Sequence, residues 1–120
     1  MVDTQVSESI LNSIKKVLGL DAEYDVFDVD LIMHINSVFS DLHQVGAAPA
    51  AGFMIMDETA TWPDFVQDKS NVEMVKSYVA IRVKLLFDPP TSAYGIESLQ
   101  KQADKFEWRL NLLEDVFKHS

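Results

Sequence analysis

The chain has 120 residues, 48% of them hydrophobic, with 19 acidic and 10 basic side chains and a formal charge of −9. That length suits one domain with a genuine core and little stability to spare, and four Gly and four Pro leave no material for long irregular tracts. The absence of Cys excludes disulfides, thiolate nucleophiles and Cys-ligated zinc, and ten scattered cations do not form the clustered patch that grips nucleic-acid phosphates.

No stretch approaches the ~18 apolar residues that span a bilayer. Met1 to Gln5 show neither the basic nor the apolar region of a secretory signal. The expectation is a soluble protein, made and used in a cytoplasm or released from one by lysis. Residues 1–120 are expected to form a single domain, with 1–6 flexible.

Residues 7–18 predict the first helix, with Ser7 as N-cap and Ile10, Leu11, Ile14, Val17 and Leu18 on one stripe. Lys15 and Lys16 suit its negative end, and Gly19 suits the position just beyond. After an acidic connector over 20–25, a second helix opens at Asp25 or Asp28 and runs to about Gln44. Leu31, Ile35, Val38, Leu42 and Val45 form its main stripe. Val29, Ile32, Met33 and Phe39 widen that stripe, which predicts contacts on more than one side.

A small-residue loop from Ala47 to Gly52 follows. Phe53 to Met56 and Thr59 to Trp62 predict the two arms of a short β-hairpin that leans on the helices. Pro63 to Val66 predicts a helical turn, in which Trp62 and Phe65 are core anchors in preference to partner contacts. Asn71 is the expected N-cap of a third helix reaching about Phe87. Its second half, with Tyr78, Ile81, Leu85 and Phe87, is apolar nearly all round, as in a helix at the centre of its domain. Asp88-Pro89-Pro90 ends it.

Thr91 or Ser92 caps the last helix, expected to reach about Lys118. Ile96, Leu99, Ala103, Phe106, Leu110, Leu113 and Phe117 trace a heptad seam along it. At 1.5 Å per residue it would be roughly 40 Å long. The fold class is therefore mainly α: a compact four-helix domain with a long C-terminal helix and a small β-hairpin insertion between helices 2 and 3.

Little in the sequence suggests chemistry. Asp21, Glu23 and Asp25 have the spacing that opens an EF-hand loop, but Val26 stands where the turn needs Gly, and Ile32 stands where a bidentate Glu is required. A solvated connector with helix-capping aspartates accounts for the run. His34 and His43 lie nine apart on one helix, about 13 Å along its axis, and His119 stands alone. No His-x-x-x-His or Glu-x-x-His pair exists, so the histidines are expected to be polar surface residues. No nucleophile elbow, phosphate-binding loop or dinucleotide fingerprint is present. No catalytic, cofactor-binding or metal-ligating residue is singled out, and the protein is expected to be no enzyme.

What stands out is apolar surplus. Trp108 and Leu112 fall on the face of the last helix opposite its seam, where either the rest of the chain or another chain must cover them. Val116 and Phe117 extend the same choice toward the C-terminus.

Four segments carry a family resemblance: Val26 to Phe39, Ala60 to Phe65, Val75 to Ser92, and Phe106 to Asn111. In this order they resemble the small head–tail connector (adaptor) proteins of tailed bacteriophages, the siphophages in particular, over nearly the whole chain. The resemblance implies a structural virion protein of the neck, without cofactor, that is present in the host cytoplasm during assembly. Such proteins form a ring under the portal and join the DNA-filled capsid to the tail. Their partners are the portal protein and the next neck or tail component, and DNA passes through without specific binding. A C-terminal helical segment often engages the portal in such families. Here that role would fall on the helix bearing Phe106, Trp108, Leu112, Val116 and Phe117, which are the candidate partner-binding residues. The alternative class is a small acidic helical regulator or inhibitor that masks a basic surface of a host protein. A small enzyme or metal protein is a third.

Overall fold

The computed structural model describes residues 9–44, 52–66 and 69–112. These contain five helices, α1 (Ile10–Val17), α2 (Asp28–Gln44), α3 (Trp62–Phe65), α4 (Lys69–Phe87) and α5 (Ala93–Leu112). Residues 1–6, the Ser7 cap, most of the small-residue loop and the stretch carrying Leu113, Val116, Phe117 and His119 lie outside the described residues.

The N-cap of α1 is Ser9. Its hydroxyl accepts from the Asn12 N–H at 3.2 Å and donates to the Glu58 carbonyl at 2.7 Å. Beyond α1 the chain turns at Gly19, whose φ of 81° needs no Cβ to be accommodated. Lys15 is buried, and its Nζ lies 2.8 Å from both the Ala22 carbonyl and Asp28 Oδ1. One aspartate of the acidic run thus ties the connector back onto α1, while Asp21, Glu23 and Asp25 are exposed.

The core follows the expected stripes except at Val17, which the last turn of α1 leaves exposed. Ile10, Leu11 and Ile14 of α1 meet Leu31, Ile35, Val38, Phe39 and Leu42 of α2 and Val75, Tyr78, Val79 and Val83 of α4. The all-round apolar character of α4 is explained by its place: it contacts each of the other four helices. It begins at Lys69, so Asn71 is a buried residue of its first turn and not its cap. α5 runs antiparallel to α4, since Tyr78 meets Glu107 while Arg82 reaches Asp104.

The expected β-hairpin is not there: the described residues contain no strand, only a single bridge between Ser9 and Thr61. The Asp57 carboxylate accepts from the Thr59 N–H at 2.8 Å and makes the turn, but each arm finds another partner. In the first arm, the Asn36 side chain of α2 accepts from the Ile55 N–H at 2.8 Å and donates to the Ile55 carbonyl at 3.0 Å, as a neighbouring strand would. In the second, the Ala60 carbonyl accepts from the Ile10 N–H at 3.0 Å. Two-stranded ladders are marginal alone, and here the helices take the backbone groups one would need. Asn36→Ala should cost about 2 kcal/mol, roughly one per hydrogen bond. Hydrogen exchange checks it: the Ile55 amide should lose its protection well before the amides of α4.

Phe39, Phe53, Trp62 and Phe65 close the core beneath this segment. Phe39 stacks on Phe65 at 4.3 Å between ring centroids and meets Trp62 edge-on at 6.4 Å. Trp62 and Phe65 are core anchors, held by the single turn of α3, where Thr61 and Asp64 form a capping box.

Candidate docking surfaces

Ser92 opens α5. Its hydroxyl accepts from the Gly95 N–H at 3.0 Å and its carbonyl from the Ile96 N–H at 3.1 Å. The seam Ile96, Leu99, Ala103, Phe106, Leu110 turns inward, with Ala103 and Leu110 fully buried and Phe106 half-buried against the core. Of the five candidate partner-binding residues, Phe106 is therefore an inward support. Trp108 and Leu112 face out, 65% and 63% exposed. Val116 and Phe117 lie outside the described residues.

Helical periodicity places Tyr94, Lys101 and Lys105 on the same outward face, all three exposed. Tyr94, Lys101 and Trp108 are seven apart, as are Lys105 and Leu112. Sequence reasoning missed these members, although a second heptad offset from the first was there to be found. The outward stripe is thus mixed, with aromatic or apolar ends and a basic middle. Glu97, on the same side, pairs with Lys101 at 3.3 Å.

The stripe sits on a rigid mount. Tyr78 donates to Glu107 Oε2 at 2.8 Å, and Arg82 reaches Asp104 at 3.1 Å and Glu107 at 3.3 Å. The Arg82 guanidinium also lies 5.3 Å from the Tyr78 ring centre. Burial pushes the Tyr78 hydroxyl up to about 12 from its ordinary 10.0. Unfolded Tyr78 ionises near pH 10 and the folded form near pH 12, so the stabilisation is complete below pH 10 and fades as pH rises through 12. Native chain and Tyr78→Phe should therefore differ in alkaline unfolding. Native stability should fall by up to about 2 kcal/mol more than the variant's between pH 10 and 12, read by urea titration at each pH.

A cleft of about 470 Å³ opens between α2, α4 and α5, lined by Val38, Asp41, Arg82, Leu86 and Glu107 among others. Arg82 is already committed to two carboxylates there. Among the described residues no group of three metal-ligating side chains comes together. His34 is half-buried with its ring edge-on to Phe87, 6.3 Å between centroids, so it is more than a polar surface residue.

α2 carries a second exposed apolar face. Val29 and Met33 point directly away from its buried stripe, 71% and 65% exposed, and Val26 precedes them, also exposed. The width of the apolar stripe predicted contacts on more than one side. Among the described residues Phe39 is buried and Ile32 half-buried, whereas Val29 and Met33 are largely exposed.

The described residues form a small helical fold with a closed core and with aromatic and apolar side chains turned outward on α2 and α5. The chain belongs to the phage connector protein family, whose model matches residues 10–116. No curated protein and no solved structure matches it. A connector family is a structural one, which suggests a head–tail connector role in a phage. No described helix is long and apolar enough to cross a membrane.

Proposed function

We propose that the chain assembles as a ring under the portal and joins the DNA-filled capsid to the tail. The observation that carries this reading is the outward stripe of α5, where Trp108 and Leu112 remain open on a helix braced by Tyr78 and Arg82. Buried aromatic anchors dominate protein interfaces, and a virion assembly supplies the missing cover. In this reading Trp108 and Leu112 make the contact, Phe106 supports them from within, and Val116 and Phe117 continue the surface.

The charge of −9 suits a channel through which DNA slides. Only cations meeting phosphate gain from counterion release, so an acidic wall lets DNA pass without holding it. Part of that charge is assigned to the ring lumen, and a reconstruction with a basic lumen would contradict the assignment.

Electron microscopy of the purified chain mixed with the portal protein of the same phage tests the reading. The expected result is an added ring layer on the portal. An unchanged portal, together with one-to-one capture of a host protein, would overturn it in favour of a regulator.

A further inference from the structure

We propose that neighbouring copies join head to tail, with the outward stripe of α5 in one copy seated on the Val26–Val29–Met33 ridge of the next. The pairing rests on the connector reading and names the partner of its docking helix. Both ridges point away from the core of their own chain, so one chain cannot bring its own two together. Each carries an apolar pair one turn apart, Trp108 and Leu112 at the C-terminal end of the stripe and Val29 and Met33 in the ridge.

Their charged surroundings decide which faces can meet. Lys101 and Lys105 lie along the α5 stripe, with Arg109 beside it. Asp25 and Asp30 adjoin Val26 and Val29 in the chain, and Asp21 and Glu23 lie in the connector leading to them, all exposed. Ridge against ridge would oppose carboxylates to carboxylates, and stripe against stripe would set Lys105 near Lys105, with Lys101 already paired to Glu97 on its own helix. Stripe against ridge brings apolar to apolar and the lysines to the carboxylates. A contact between two different patches is heterologous, and it closes into a ring when the rotation per subunit allows.

Two double charge reversals test this, Lys101→Glu with Lys105→Glu, and Asp25→Lys with Asp30→Lys. All four positions are exposed, and circular dichroism verifies that each variant is folded. The readout is occupancy of the layer added to the portal, by electron microscopy. Each variant alone should lose the layer by about tenfold or more, because like charges now face each other at every contact. An equimolar mixture should regain it, since each reversed face then finds its opposite. Full occupancy by either variant alone overturns the pairing and leaves the connector reading standing. Loss without recovery in the mixture also overturns it, because the stripe then docks on the portal itself. Failure of the native chain to add any layer removes the connector reading, and the pairing with it.

Discussion

Trp62→Ala should lower the thermal midpoint by about 12–20 °C. Trp62 is fully buried, meets Phe39 edge-on, and donates its indole N–H to Ser13 Oγ at 2.8 Å. Truncating a buried aromatic costs about 3–5 kcal/mol, part transfer and part cavity, and each kcal/mol moves the midpoint of a chain this size by about 4 °C. A small fold has only about 5–15 kcal/mol in all. Cavity collapse is restricted here because α3 is a single turn pinned at both ends, by its capping box and by the bond from the Val66 N–H to the Trp62 carbonyl. Calorimetry of Trp62→Ala beside Trp108→Ala gives the contrast. The second variant removes an exposed ring, should stay within about 0.5 kcal/mol of the native stability, and should lose the portal layer. Similar losses of stability in both would mean that Trp108 is covered by its own chain.

The second large effect is asymmetric. Asp28→Ala should cost about 2–3 kcal/mol, whereas Lys15→Met should stay within about 1 kcal/mol of the native chain. Lys15 is almost wholly buried and Asp28 only three-quarters so, at a separation of 2.8 Å. Removing the carboxylate leaves a buried ammonium with only the Ala22 carbonyl at 2.8 Å, and removes an acid from the first turn of α2, where the helix dipole favours it. Removing the ammonium instead lets Asp28 turn to water, while Met fills the space with an apolar stem. Urea unfolding of both variants near neutral pH measures the difference, and equal losses would mean that solvent reaches Lys15.

The helical plan was legible because it rests on local rules. Gly19 beyond α1 and Asp88-Pro89-Pro90 after α4 are set by backbone sterics. The starts of α2 and α5 were narrowed to Asp25 or Asp28 and to Thr91 or Ser92 by the orphan N–H groups of a helix end, and of these the structure takes Asp28 and Ser92. The seam of α5 was equally plain, since 3.6-residue periodicity marks the inward face without reference to what lies there. The outward placement of Trp108 and Leu112 follows from the same wheel. Tyr94, Lys101 and Lys105 were overlooked beside them because polar and aromatic residues on an exposed face carry no apolar signal.

The hairpin failed for a non-local reason. Phe53 to Met56 and Thr59 to Trp62 have strand-like patterns, but Asn36, nineteen residues from Ile55, holds the first arm, and Ile10, fifty residues from Ala60, holds the second. No window of sequence shows those partners. The same limit applies to Lys15, which suited a helix end as a surface cation and became the buried link to Asp28, and to Tyr78, whose hydroxyl is fixed by Glu107 from another helix.

By itself, then, the amino-acid order determined where the helices lie, with ends displaced by two residues at Ser9 and Lys69, and which face of each turns inward. Only the packed chain decided how backbone groups outside the helices are satisfied and which surplus side chains stay uncovered at Val29, Met33, Trp108 and Leu112. Helix signals act over one or two turns, whereas exposure depends on every element that could have covered a face, and that is a property of the whole arrangement.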